Sequence, residues 1–217
     1  MPDFSLEREL ARQIGSIQAA VRIAGLDEVG RGPWAGPVVA AAVWLEPKAL
    51  NPALSKRLDD SKKLSKTARE DISEQLWALE SNGKAAIALG QAGVGEIDSL
   101  NILKASLLAM TRATSALPFT PDGALVDGNR LPDLPCPAVA VIKGDGRSLS
   151  IAAASIVAKV SRDRQMAELA LKYPGYGWER NQGYGTAEHR DGIARLGITG
   201  AHRLSFRPIR EAALLTL

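Results

Sequence analysis

This 217-residue sequence predicts an α/β domain of layered strands and helices with a smaller C-terminal lobe. Short apolar runs of strand length alternate with longer stretches of helical period. Acids stand at the C-terminal ends of three of those runs or in the loops that follow: Asp27 with Glu28, Asp127, and Asp145. From Tyr173 onward the composition turns toward Gly, Arg and aromatics, which marks the smaller lobe.

Residues 21–28 are an apolar run ending in acids, hence a strand. Pro37 stops any helix, and residues 38–45 are apolar at every position, hence a buried strand. Residues 51–63 are polar and basic and read as a loop. Ser65 or Thr67 caps a helix whose apolar face is Ala68, Ile72, Leu76 and Leu79, and Asn82-Gly83 ends it. Residues 85–90 are another short apolar run. Asp98 or Ser99 opens one helix with Leu100, Leu103, Leu107, Met110 and Leu117 on a stripe, broken by Pro118 and Pro121. Residues 124–126 and 138–142 are short strands, followed by Asp127 and Asp145. Ser148 opens a long helix in which Ala152, Ala153, Ala154 and Ser155 permit close approach to a sheet. The last residues read as helical.

Charge is mildly positive, +3 net, and only weakly indicates a polyanionic partner. Its placement says more. Lys56, Arg57, Lys62, Lys63 and Lys66 form one cluster. Lys143, Arg147, Lys159, Arg162 and Arg164 form a second, and Arg203, Arg207 and Arg210 a third. Each cluster reads equally well as a solvated face. Cys136 is the single cysteine, which excludes an intrachain disulfide and a thiolate metal site and suits a reducing compartment. Residues 1–17 lack the apolar core of a signal peptide, and the apolar run 38–45 is too short to span a bilayer. The expectation is a cytoplasmic protein with no membrane partner.

The chemistry concentrates in Asp27-Glu28-Val29-Gly30-Arg31-Gly32. Carboxylates at the tip of a buried strand are costly unless neutralised. A hard divalent cation takes such oxygen ligands. Gly30 and Gly32 let bare amides approach a ligand, and Arg31 offers a fork of donors to phosphate. Four acids at three strand ends, with no basic residue set to neutralise each, favour a metal site. In a two-ion site the cations lie roughly 3.5–4 Å apart. Asp27 is the natural bridging ligand there, with Asp127 and Asp145 flanking. On a regular strand Asp27 and Glu28 point to opposite faces, so they share a site only if the strand frays or Glu28 reaches over the edge. Asp127-Gly128 and Gly144-Asp145-Gly146 also suit plain β-turns. Ser61, Lys62 and Lys63 lie before a helix start, where amides and lysines can hold phosphate. Tyr173, Tyr176, Trp178 and Tyr184 alternate with Gly and Arg, a pattern suited to base stacking or to packing of the lobe.

Together these segments resemble the ribonuclease HII family. The resemblance is carried by 25–33 with 35–43, Asp60-Ser61-Lys62-Lys63-Leu64-Ser65, Val126-Asp127-Gly128 and Lys143-Gly144-Asp145. It continues through the helix at 152–163, Gly183-Tyr184-Gly185-Thr186 with Glu188-His189, and His202-Arg203 with Ser205-Phe206. It implies a ribonuclease H-like catalytic domain over 21–172, a substrate-contacting helical lobe over 173–217, and an N-terminal extension over 1–20. It implies an endonuclease using two Mn²⁺ or Mg²⁺ ions held by Asp27, Glu28, Asp127 and Asp145. Its substrates would be RNA/DNA hybrids and duplex DNA with embedded single ribonucleotides, cut on the 5′ side of the ribonucleotide. Gly30, Arg31 and Gly32 would read the ribose 2′-hydroxyl, and Tyr184 would sense the RNA-to-DNA junction. The resemblance suggests a monomer. Residues 209–217 lack the paired aromatics of a sliding-clamp ligand. The alternative is a DNA junction resolvase or another DNA nuclease of the same fold.

Overall fold

The computed structural model describes residues 1–15, 21–61 and 63–214. Five strands form one mixed sheet in the order β3-β2-β1-β4-β5. They are β1 (Ile23–Val29), β2 (Val38–Leu45), β3 (Ala85–Ala92), β4 (Gly123–Asp127) and β5 (Ala138–Val141). The first three form an antiparallel meander, and β4 and β5 run parallel to β1. Parallel strands need crossover connections, and helices supply them. As a result β1 and β4 both deliver their C-terminal acids to one end of the sheet.

The helices cover both faces of this sheet. Helix α6 (Leu149–Lys172) and α3 (Lys66–Ser81) pack over Ala41, Val43, Leu45 and Ile87. Helix α5 (Ile102–Ser115) packs over Ala24, Leu26, Val38, Ala40 and Val126 on the other face. The contact with α6 is close enough to require glycine. A Cβ on Gly25 would stand 2.2 Å from the Ser150 carbonyl carbon. The small residues Ala152, Ala153 and Ala154 are fully buried along the same line. Beyond α6, the chain folds α7 (Trp178–Asn181), α8 (Ala187–Leu196) and α9 (Arg207–Leu214) around Tyr176, Trp178, Ile193 and Ile209. Ala35 and Met166 join that cluster, so it is continuous with the β1–β2 loop and with α6.

The structure departs from the sequence expectation in three places. Residues 5–14 form α1 (Ser5–Ile14), whose Leu10 packs with Ile23, Leu125, Val141 and Ile151. Its buried Glu7 accepts hydrogen bonds at Oε1 from the Ser148 and Ser150 hydroxyls and the Ser150 amide, at 2.7, 2.6 and 3.0 Å. The loop expected over 51–63 contains α2 (Pro52–Arg57), because Asn51 caps it through the Leu54 amide and Pro52 suits a first turn. The single helix expected from Asp98 or Ser99 to Leu117 is two. Helix α4 (Val94–Leu100) ends where Asn101 takes a φ of 73°, and the Asn101 side chain then caps α5 through the Leu103 and Lys104 amides.

Candidate active site

Strand β1 stays regular through Val29, with Asp27 opposite Ala41 and Glu28 opposite Ala40. The two acids therefore point to opposite faces of the sheet. Fraying does not occur, and Glu28 can join Asp27 only by reaching around the strand end. Asp27 faces α6 and is buried, and the Glu28 amide donates to its Oδ1 at 2.7 Å. Burial raises its pKa well above the carboxylate norm, and the charges of Glu28 and Asp127 raise it further. The Ser155 hydroxyl opposes that shift.

Glu28 is raised as well, again first by burial. Arg31 pulls the other way, with its Nη1 3.2 Å from Glu28 Oε1. This corrects the sequence expectation that no basic residue neutralises the acids locally. Arg31 pairs with Glu28 while half of its side chain stays exposed. Glu28, Arg31 and Asp127 line one cavity of about 330 Å³ together with Asn129 and Arg130.

Asp127 ends β4 and accepts the Gly144 amide at Oδ1, 2.7 Å away. That bond ties it to the 3-10 turn Gly144–Gly146, which carries Asp145. Asp145 is buried, and its Oδ1 accepts the Gly146 amide at 2.9 Å. Among the described residues, no three acid, histidine or cysteine side chains are close enough together to form a ready-made metal cage. The donor set nevertheless suits a hard cation. Asp27 is a buried oxygen donor whose nearest charged neighbours are other acids, and a divalent ion would remove that penalty.

The glycine loop is held from beneath by Arg162 and Arg203, each part of a basic cluster in the sequence. Both are fully buried. Arg203 donates through Nη2 to the Gly30 and Pro37 carbonyls at 2.6 and 3.1 Å, through Nη1 to Arg31 at 3.1 Å and through Nε to Gly36 at 2.9 Å. Arg162 donates to the carbonyls of Pro37, Gln182 and Ala35 at 3.0, 3.0 and 3.1 Å. Burial lowers both pKa values, to about 9 for Arg203 and about 10 for Arg162, and both remain charged at neutral pH. Gly30 has a φ of 94°, and a Cβ there would meet Arg162 Nε at 2.1 Å. The Gly30 and Arg31 carbonyls are thus turned inward by Arg203, while Arg162 packs against Gly30 and fixes the Ala35 and Pro37 carbonyls beyond it. No local sequence signal predicts this, because the acceptors lie far away along the chain.

Tyr184 is half-exposed, and its Cε1 would stand 3.3 Å from a Cβ at Gly32. The tyrosine therefore borders the glycine loop directly. Ser61 is buried with its hydroxyl oxygen 2.8 Å from that of Ser155, which places it behind Asp27. Its hydroxyl bonds within the protein, unlike the surface phosphate contact expected for this segment. Lys63 is exposed and pairs with Asp59 at 3.0 Å. Lys62 lies outside the described residues.

Comparison with known proteins agrees with this arrangement. The sequence profile of the family described as ribonuclease HII matches residues 24–209. A ribonuclease HII from Rhodospirillum rubrum is 58% identical over 212 residues, covering 98% of this chain and 92% of the relative. Ribonuclease H2 from Pyrococcus horikoshii OT3 superposes with a TM-score of 0.72 at 24% identity, covering 90% of this chain and 98% of that one. A ribonuclease HII from Archaeoglobus fulgidus, solved as a complex with PCNA, superposes with a TM-score of 0.65 at 26% identity over 86% of this chain and 96% of its own. With a ribonuclease H-like sheet, acids gathered at its strand ends and a family match over most of its length, this chain belongs to the ribonuclease HII family.

Proposed function

We propose that this protein hydrolyses the RNA strand of RNA/DNA hybrids and incises duplex DNA on the 5′ side of single embedded ribonucleotides, leaving a 3′-hydroxyl and a 5′-phosphate. The observation that carries this reading is a buried Asp27 within reach of the charges of Glu28 and Asp127, beside the loop of Gly30, Arg31 and Gly32. Asp27, Glu28, Asp127 and Asp145 would hold two Mn²⁺ or Mg²⁺ ions. When bound, such ions lower the pKa of the attacking water and stabilise the leaving oxygen.

The protein's own residues supply position and selectivity. The Gly144 amide and Ser155 fix the orientations of Asp127 and Asp27. With the Gly30 and Arg31 carbonyls engaged by Arg203, the glycine loop has its amides to offer a ribose. The 2′-hydroxyl is the feature that separates RNA from DNA at one nucleotide. Tyr184, which borders Gly32, would pack on the sugar that follows the cut. Lys62 and Lys63 would contact phosphates, and Ser61 would support that segment from within. We take residues 21–172 as the catalytic domain, 173–217 as the lobe that contacts substrate and 1–20 as an N-terminal extension. The proposed working form is a cytoplasmic monomer whose partner is the nucleic acid. No helix of the described residues is long and apolar enough to cross a membrane.

The test is incision of a duplex carrying one ribonucleotide, beside an all-DNA duplex of the same sequence. Cleavage at the ribonucleotide alone is expected, with complete loss in EDTA and recovery on adding excess Mn²⁺ or Mg²⁺. Cutting of the all-DNA duplex would reassign the protein to the DNA nucleases of this fold. Undiminished activity in EDTA would remove the metal from the reaction.

A further inference from the structure

The C-terminal lobe buries two histidines that no step above uses. His189 and His202 are 0% and 1% exposed, and their Nε2 atoms lie 3.1 Å apart. Their protonation can be assigned from the groups at either end. The Thr199 amide, which can only donate, is 2.9 Å from His202 Nδ1. That nitrogen must accept, so the His202 proton is on Nε2 and points at His189. The Trp178 indole, also donor-only, lies 3.0 Å from His189 Nε2. His189 Nε2 therefore accepts from both Trp178 and His202, and its own proton is on Nδ1. That Nδ1 is 3.0 Å from the Tyr184 carbonyl, which can only accept. One arrangement with both rings neutral gives every donor from Thr199 to Tyr184 an acceptor, the single lone pair of His189 Nε2 being shared between Trp178 and His202. Burial favours that state, pushing His189 below the usual imidazole range and His202 to about 4.

We propose that His189 and His202 are positioning residues for Tyr184: they form a fixed relay that holds the Tyr184 main chain so that its ring stands against Gly32. The proposal rests on the reading of Tyr184 as the junction-sensing residue. The rest of the turn agrees with it. The Tyr184 amide donates to the Asn181 carbonyl at 2.9 Å, and the Thr186 amide donates to the Tyr184 carbonyl at 2.8 Å. The Tyr184 backbone is thus pinned on both sides while its ring stays half-exposed. The two histidines touch no substrate. They act through the tyrosine, and their effect belongs to substrate choice.

Two substitutions at one position separate positioning from packing. His189→Gln places an amide near the Nε2 position, so it keeps an acceptor for Trp178 and His202 and loses the donor to Tyr184. His189→Asn places an N–H near the Nδ1 position, so it keeps that donor and abandons Trp178 and His202. For each variant the melting temperature is measured, with the ratio of cleavage rates on a single-ribonucleotide duplex and on a long RNA/DNA hybrid in Mn²⁺. For His189→Gln we expect near wild-type melting and a ratio lowered about tenfold, the scale of one lost hydrogen bond. For His189→Asn we expect lower melting and a nearly wild-type ratio. A wild-type ratio in His189→Gln, or ratios that simply follow melting temperature, overturns the proposal. Imidazole ¹⁵N shifts of the wild-type protein give a readout independent of activity. Nδ1-protonated His189 and Nε2-protonated His202 are expected, and any other pair of tautomers overturns the relay. If the wild type cuts no ribonucleotide-bearing duplex, the functional reading fails, while the ¹⁵N shifts still decide the relay.

Discussion

Asp27→Asn is expected to make the metal-free protein more heat-stable while removing nearly all cleavage. Asp27 is buried, and its pKa is raised well above the ordinary value by burial, then by Glu28 and Asp127. A carboxyl that holds its proton more tightly when folded favours the fold below its unfolded pKa of about 3.9. That contribution is lost as pH rises through the folded value. Above it, the metal-free fold must carry an ionised Asp27 among other acids. Asparagine keeps the shape and can still accept the Glu28 amide, but it has no charge to repel and none to hold a cation. Each 1 kcal/mol relieved raises the melting temperature of a domain this size by about 2–4 °C. The rise should be clear at pH 8 in EDTA and should shrink toward pH 4. In the same picture Mn²⁺ raises the melting temperature of the wild type and has little effect on the variant. A variant that melts lower than wild type at pH 8, or that turns over normally, would place the cost and the metal elsewhere.

Arg203→Lys is expected to cost more stability than any exposed charge change and to abolish ribonucleotide incision. One planar guanidinium joins the Gly30 and Arg31 carbonyls to those of Gly36 and Pro37. An ammonium keeps the charge but cannot span both sets. Breaking a buried charged network of this kind costs about 3–5 kcal/mol. For this chain length that corresponds to a fall in melting temperature of roughly 6–20 °C. Thermal melting of the purified variant, followed by the incision assay below its new midpoint, separates loss of fold from loss of loop geometry. A lysine variant with wild-type melting and incision would reduce Arg203 to a passenger.

The elements that present the acids were legible because their signals are local. An apolar run ending in Asp27-Glu28 is a strand with acids at its tip. Ser65, Ile72 and Leu76 make α3 readable, and Ser148 with the following alanines makes α6 readable. What escaped depended on partners remote in sequence. Helix α1 is held by Leu10 against four distant side chains and by Glu7 against α6. The break between α4 and α5 rests on the positive φ of Asn101, with neither glycine nor proline to announce it. In the candidate site, the side chains of the acids could be named but their directions could not. Strand pairing with β2 decides that Asp27 and Glu28 diverge. Arg162 and Arg203 were the hardest to read. An arginine in a basic cluster looks like surface until the fold surrounds it with carbonyl groups.

The Glu7 contacts give the first helix a consequence for the far end of the chain. A carboxylate from α1 reinforces the local cap that Ser148 gives α6 through the Ile151 amide, taking up further donors at its first turn from 141 and 143 positions away. That first turn follows directly on the short segment bearing Asp145. Clipping the protein after Glu7 would therefore loosen the platform of a proposed metal ligand without touching the ligand. Amide exchange at Ser150 should accelerate first in the clipped form, and unchanged exchange there would show that the two ends are mechanically independent.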